Sequence, residues 1–475
     1  MFDFRQDFAP WTGRVLFPVS LFCTTSAVSP ARHRRDASAR RSSRPLVALL
    51  LCSFTVTAYA AGDSCALNLR QLIAIAQRDN KDLQAARYAI EIGRARLLQA
   101  GLRPNPRLDV SARSDFLFRN EGEYGTTIAV SQQFPIAGRI LRQKDVARVD
   151  IALAQAEVEG VERKLAGDIA GDVYHLIVVD RQIKSRDALI GIEKKLAQTT
   201  RDRFKAAEVS ELDVNTVRLD VQRLEQERSL LRVQHDALEA SLNTRLGRPT
   251  TSPLILDEPI PAMGALPNLT GLQTKALALR PDYRSALLSA DRAQAERALA
   301  HALRWEDWSV GLELSQDRQV INGAPSQGSD RLIGVTLSIP LPFYNKSQGL
   351  LAEAEASQDQ AQARIDAARL GISGEVAGVY AEASRLQPAL AQYADVILPI
   401  SQSNVNLAQQ GYGQGLIPVF EVVQAQRQQA ELNATYLTTL DQYLQALVRL
   451  HAAVGDYLPT TGLAPDKAGT QKCSP

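Results

Sequence analysis

The chain has 475 residues and a formal net charge of +2, so no strongly basic surface points to nucleic acid. Only 6% of its residues are aromatic, and Ala, Gln, Leu and Arg fill whole segments. That is the composition of long helices rather than of a compact enzyme.

Residues 40–61 read RRSSRPLVALLLCSFTVTAYAA, a basic patch, a short apolar run and small residues at Ala58 and Ala60. This is the layout of a secretory signal cleaved after Ala60, and the run is too short for an anchoring helix. Residues 1–60 are therefore set aside as leader and signal, with 1–39 attributable to an upstream start site. Cleavage leaves Cys65 and Cys473, which in an oxidising compartment either form one disulfide or remain two free thiols.

The rest is written twice. Leu72, Ala76, Asp82 and Ala86 correspond to Leu272, Ala276, Asp282 and Ala286, and Val130 and Pro135 to Val335 and Pro340. Phe204, Leu212, Asp213 and Gly247 correspond to Tyr412, Phe420, Glu421 and Gly455. The first repeat is predicted over 61–247, a Pro-rich linker over 248–268, the second repeat over 269–456 and a flexible tail over 457–475.

Within each repeat the predicted order is helix, two strands, long helix, turn, helix. In the first strand, about 106–118, Leu108, Val110, Ala112, Phe116 and Phe118 alternate with Asp109, Ser111, Arg113 and Asp115. The second, about 123–134, alternates Tyr124, Ile128, Val130 and Phe134 with Gly125, Thr127, Ala129 and Ser131. The second repeat does the same over about 307–317 and 330–340. There Val310, Leu312, Val335 and Leu337 oppose Gly311, Glu313, Thr336 and Ser338. A period of two with one apolar face is a strand signal.

Long helices are expected over about 139–205 and 349–410, with Pro388 and Pro399 bending the second. Leu176, Ile183 and Ile190 recur at heptad spacing, as do Val217, Leu224, Leu231 and Leu238. Because the helices spend their apolar stripes on each other, the apolar strand faces need another partner. Eleven residues at about 3.4 Å, tilted about 40°, climb about 28 Å, close to the apolar band of an outer-membrane barrel. Four strands cannot close a barrel, and a bilayer tolerates no open sheet edge, so closure requires further copies. Val110, Phe116, Val130, Val310, Val335 and Leu337 are then candidates for the lipid face. Asp109, Arg113, Asp115 and Glu313 are candidates for the lumen.

The duplicated plan and the phrases SQQFPIAGRI, LSIPLPFYNKSQG and GYGQGLIPVFEVVQAQR resemble the TolC family of outer-membrane efflux proteins over about residues 65–457. IPLPFYNKSQG is most similar to the branch serving heavy-metal exporters of the cobalt-zinc-cadmium type. The resemblance implies a mainly α protein with membrane β: a homotrimer whose twelve-stranded barrel continues into a periplasmic α-helical tunnel. It also implies a periplasmic adaptor, an inner-membrane resistance-nodulation-division pump and surrounding outer-membrane lipid as partners, and passive export, of heavy-metal cations by the branch likeness. Ducts for drugs or secreted polypeptides are alternatives, as is a soluble periplasmic coiled-coil adaptor. An adaptor would carry one helical hairpin and separate β-domains.

Enzyme signatures are missing: the sequence has no HExxH, no CxxC and no phosphate-binding glycine-lysine loop, and its histidines are scattered. No catalytic residue, cofactor or metal site is predicted. The resemblance places the family's gate tyrosine at Tyr412 and its acidic partner at Asp213. Its gate arginine falls at Ile417 and its constriction aspartate at Gln424, with Glu421 keeping an acid nearby. Asp213 and Glu421 are read either as gate acids or as ordinary carboxylates at helix starts, where the macrodipole favours negative charge.

Overall fold

The computed structural model describes residues 66–117, 122–321, 323–325 and 327–456. The signal peptide, Cys65, Phe118, the tail and Cys473 lie outside the described residues. In chain order the elements are α1 (Leu69–Asp79), α2 (Lys81–Ala100), β1 (Arg107–Ser114), β2 (Tyr124–Phe134), α3 (Arg139–Lys205) and α4 (Glu211–Arg245). The second repeat supplies α5 (Leu269–Leu279), α6 (Pro281–Leu303), β3 (Trp308–Arg318), β4 (Asp330–Ser338), α7 (Gln348–Gln392), α8 (Leu398–Gly413) and α9 (Val419–Val454).

Sixty-seven residues in α3 make a rod of about 100 Å. Its first half packs on α2 and α6, and its second half on α4 and α9. In the second repeat, Tyr393–Ile397 form a π-turn between Pro388 and Pro399. Proline has no N–H, so a carbonyl one turn back loses its partner; widening to the π register rebuilds the ladder around that gap. The two prolines thus flank one inserted π-turn.

Both repeats close their ends with the same devices. Gly247 and Gly455 adopt φ of +71° and +86° after α4 and α9. A Cβ on Gly247 would lie 2.4 Å from the Asp79 carbonyl oxygen, and one on Gly455 would lie 3.1 Å from Leu279 Cβ. Asn80 Nδ2 donates to the Arg245 carbonyl at 2.8 Å, and Arg280 Nη1 donates to the Ala453 carbonyl at 3.1 Å. The residue that breaks α1 from α2, or α5 from α6, therefore caps the long helix ending beside it.

At the far end, the α3–α4 turn places Ala207 at φ +60°, where the α8–α9 turn places Gly415 at +75°. Both are closed by a long-range turn bond, Glu208 N–H to Arg203 O and Leu416 N–H to Gly411 O, each 2.9 Å. A left-handed alanine costs about 1–2 kcal/mol. Ala207→Gly should stabilise the protein by up to about 1 kcal/mol, part of the gain being offset by glycine's freer unfolded chain. Urea unfolding of the detergent-solubilised protein followed by circular dichroism would measure it, and a loss of stability would contradict the strain.

The sheet is an antiparallel meander in the order β1-β2-β3-β4, and β2 joins the two repeats by pairing with β3. Its register stacks Leu108, Val130, Leu312 and Val335 in one row, and Val110, Ile128, Leu314 and Ile333 in the next. Asp109, Ala129, Glu313 and Gly334 form a row on the opposite face.

Candidate functional site: the strand sheet and the helical tip

The apolar side of the sheet is uncovered. Val110 is 65% exposed, Val335 76% and Leu337 60%, and Val130 and Val310 are likewise exposed. Aromatic residues crowd its helix-proximal end, where Phe134 pairs with Trp308 and where Trp305, Phe343 and Tyr344 are also exposed. An apolar band edged by amphipathic aromatics is the surface that a membrane interface selects. Both outer strands, β1 and β4, have one unpaired edge among the described residues.

On the polar face Arg113 reaches across β2 to Asp317, with Nη2 2.8 Å from Oδ1. It can do so because Gly125 lies beneath; a Cβ there would sit 2.5 Å from both Arg113 Nε and Asp317 Oδ1. Glu313 is half-buried on this face and Asp109 is exposed. Two assignments need correcting. β1 ends at Ser114, so Asp115 and Phe116 belong to the hairpin turn rather than to the strand. Asp115 Oδ2 accepts from Gly122 N–H at 3.0 Å and its own N–H donates to Glu123 O. The carboxylate is spent on closing the turn, and Phe116 lies past the last strand pair.

At the opposite end of the molecule, Tyr412 is buried at the end of α8 against Val217, Val419, Val422 and Val423. Asp213 does not meet it in this chain. The Asp213 carboxylate instead accepts from Ser210 N–H at 3.0 Å and Ser210 Oγ at 2.8 Å, while Ser210 Oγ accepts from Asp213 N–H. That is a capping box, and a helix start claims the acid first because it leaves amide donors unsatisfied. The Tyr412 hydroxyl lies 3.3 Å from Thr200 Oγ1 on α3. Glu421 stands exposed in the first turn of α9.

The residue that sequence reasoning missed is Arg203. Its guanidinium lies 4.5 Å over the Tyr412 ring and donates to the carbonyls of Tyr412 at 3.2 Å and Gly413 at 3.5 Å. An arginine from α3 therefore clasps the end of α8, although Ile417 occupies the position where an arginine was sought. Nothing local to "TTRDRFKAAE" announces the contact, because its partner is more than two hundred residues away. Arg203→Ala should loosen the tip by about 1–2 kcal/mol, more than Tyr412→Phe, which keeps the ring and loses one long hydroxyl contact. Single-channel conductance in planar bilayers should rise for Arg203→Ala; equal conductance of parent and variant would show that the clasp holds nothing shut.

Among the described residues His235, Asp236 and Glu239 bring possible ligand atoms within 4.8 Å of one another. They are neighbours on one turn of α4, Asp236 is exposed, and Glu239 Oε1 already accepts from Leu254 N–H at 2.8 Å.

An uncovered apolar sheet on a duplicated helical rod has known counterparts. The family model described as outer membrane efflux protein matches residues 272–456, the second repeat. The match to that family is carried by the second repeat. Its relatives include the cobalt-zinc-cadmium resistance protein CzcC of Cupriavidus metallidurans, 23% identical over 82% of this chain and 90% of the relative. The toluene efflux pump outer membrane protein TtgF of Pseudomonas putida is 26% identical over 82% of this chain and 83% of the relative. Among solved structures, CusC matches with a TM-score of 0.68 and 18% identity, covering 82% of this chain and 92% of that one. The outer-membrane channel OprN matches with a TM-score of 0.66.

Proposed function

We propose that three copies join edge to edge, β4 of one to β1 of the next, closing a twelve-stranded barrel above a tunnel of helices. The uncovered apolar sheet face with two open edges carries this reading, because in hydrocarbon every strand edge must find a partner. The helices support it as well. Leu212, Leu219, Leu230 and Val233 on α4 and Val396, Ile400 and Leu407 along the π-turn and α8 are exposed at helical spacing. Neighbouring copies would cover such stripes.

In this reading the duct is passive, receives cargo from an inner-membrane resistance-nodulation-division pump, and meets a periplasmic adaptor at the tip. Exposed Leu212, Leu416 and Phe420 offer apolar contacts there. The cargo assigned is heavy-metal cations. Similarity to a cobalt-zinc-cadmium resistance protein along nearly the whole of that relative favours it, while toluene and pyoverdine exporters share comparable identity. A conduit need not bind its cargo tightly, and tight binding would slow release.

Deleting the gene and restoring it in trans tests the cargo. Tolerance to cobalt, zinc and cadmium salts should fall and recover, with tolerance to toluene unchanged. The opposite pattern would assign the duct to organic cargo.

A further inference from the structure

The helix-proximal end of the sheet is rich in cations. Exposed Arg103 and Arg107 precede or open β1, Arg142 follows β2 in the first turn of α3, Arg304 precedes β3 and Lys346 follows β4. Acids nearby include Glu306, which is exposed, and Asp307, which pairs with Arg139. The two long helices that start at this end, α3 and α7, have neither a side-chain cap nor an acid in the first turn. The positive end of each helix dipole is therefore not neutralised by its own first turn.

A cavity of about 390 Å³ opens here between the end of α2 and the start of α3, lined by Arg94, Leu97, Leu98, Leu102, Lys144 and Arg148. Leu98 is 71% exposed and Leu102 55%. Gly101 also lines it, and a Cβ there would lie 2.5 Å from Lys144 Cε, so the glycine gives the lysine stem room against the end of α2. Four cations, Arg94, Arg142, Lys144 and Arg148, stand against two carboxylates. Glu91 pairs with Arg94, and Asp145 with Arg142 and Arg148, while Lys144 has no ion-pair partner among the described residues. Positive charge is left over. Gln132 Nε2 donates to the Pro104 carbonyl at 2.8 Å and ties the loop after α2 to the sheet. Lys144 and Arg148 lie five and nine residues beyond Arg139, the first residue of α3, about 8 and 14 Å along its axis. Side chains on a helix lean toward its N-terminus, here toward the sheet, and long cationic stems carry their charges further. The interfacial layer of a bilayer extends about 5–8 Å beyond the hydrocarbon on each side, so these charges come within reach of headgroups.

We propose that this cavity binds the phosphate headgroup of an acidic phospholipid from the leaflet on the helix side of the sheet, with the glycerol backbone and upper acyl chain against Leu98 and Leu102. The proposal rests on the bilayer placement of the apolar sheet face given above. A lipid is favoured over a soluble anion because the cavity combines three cations with three leucines, and a bare phosphate would leave the exposed leucines in water. The surface also continues to the exposed aromatics Trp305, Phe343 and Tyr344 at the edge of the apolar band. An acidic headgroup is favoured over a zwitterionic one because the latter brings its own cation to a site already in positive excess. The site occurs once per chain. Counted from the start of α7, the second repeat has Glu353 and Ser357 where the first has Lys144 and Arg148. A lipid held here anchors the helix–strand junction of the first repeat in the membrane surface, whatever the duct carries.

Native mass spectrometry of the full-length protein, extracted in detergent and delipidated, tests it with added phosphatidylglycerol or phosphatidylcholine of the same acyl chains. The parent should take up phosphatidylglycerol in preference, and Lys144→Gln with Arg148→Gln should lower its occupancy roughly tenfold at equal lipid. Lys144→Gln alone, which removes only the unpaired charge, should act in the same direction, and Lys144→Arg with Arg148→Lys should retain binding. A charge-matched pair near the tip, Lys195→Gln with Arg201→Gln, should bind as the parent does. Equal binding by the parent and the Lys144/Arg148 glutamine variant, an equal loss in the tip pair, or equal uptake of phosphatidylcholine would overturn the proposal. Displacement of the lipid by excess inorganic phosphate would also overturn it and assign the cavity to a soluble anion. Heat-resistant oligomers in outer-membrane fractions report on the underlying placement separately. If the parent forms them and lipid binding is still unaffected by the substitutions, only the cavity assignment falls; if the parent forms none, the bilayer placement of the sheet falls with it.

Discussion

Arginine at Val335 should prevent heat-resistant oligomers from accumulating in outer-membrane fractions, whereas arginine at Ser111 should leave them intact. Val335 sits in the row Leu108, Val130, Leu312, Val335, near the middle of β2, β3 and β4. Ser111 is on the opposite face, three residues along the register, in the row with Thr127 and Ser315. A lipid-facing arginine at the bilayer midplane costs about 2–4 kcal/mol, and every copy in a closed barrel pays it. Val110→Arg should behave like Val335→Arg, because its row is adjacent. Val310 is paired with Gln132 and Leu337, two residues from the Phe134–Trp308 pair, so arginine there lies nearer the aromatic edge and should cost less. The graded order Val335, Val310, Ser111 is the discriminating result. Equal yields at all three would place the apolar face against something other than lipid.

The faces of that sheet were legible in the sequence because a strand writes its two sides in alternate letters, and the register of β2 against β3 keeps the letters aligned across the repeat boundary. Where pairing stops is not written in the same code. Alternation runs on through Asp115 and Phe116, but a hairpin turn needs an oxygen acceptor for Gly122, and Asp115 supplies it. The tip shows the same division. Ser210 and Asp213 spell a capping box three residues apart, a local signal, and the structure forms it. The Arg203–Tyr412 clasp joins segments that only the folded helical array brings together, so no local pattern carries it. Long-range caps within a repeat, such as Arg280 on the Ala453 carbonyl, are hidden for the same reason.

One buried group was legible and passed over. Glu193 looks like a surface charge beside Lys194 and Lys195, yet it continues the heptad of Leu176, Ile183 and Ile190 at the next inward position, and Thr200 follows a turn or two later. In the structure it is fully buried in α3, and neither carboxylate oxygen has a hydrogen-bond partner among the described residues. Gln426 on α9 is buried with both amide atoms unpartnered, and Asp220 on α4 is buried but held by Arg427 Nε at 2.7 Å and Arg223 Nε at 3.2 Å. This polar layer belongs to the stretch of helices that ends at Tyr412 and Val217.

Glu193→Gln should stabilise the protein at pH 8 and change little at pH 4. Burial first, and the neighbouring Asp220 charge second, push the Glu193 carboxyl up from 4.5 to about 7, against the attraction of Arg427 and Arg223. The sign follows from the proton count. Below about pH 4.5 the group is protonated folded or unfolded, and no penalty exists. Between 4.5 and about 7 only the folded chain keeps the proton, so stability falls as pH rises, and above about 7 the full cost is present. That cost is on the order of 3 kcal/mol per chain. His451, whose pKa burial lowers, works in the opposite direction as pH falls below 6.5, so the parent's overall slope mixes both groups. The decisive quantity is the difference between parent and Glu193→Gln in urea unfolding at pH 5, 6, 7 and 8. It should open steadily across that range, with the added protection in hydrogen exchange concentrated in α3 around residues 190–200. A difference that stays flat with pH would mean that Glu193 is already ionised and solvated in the folded protein, and that the helices near the tip do not close around it.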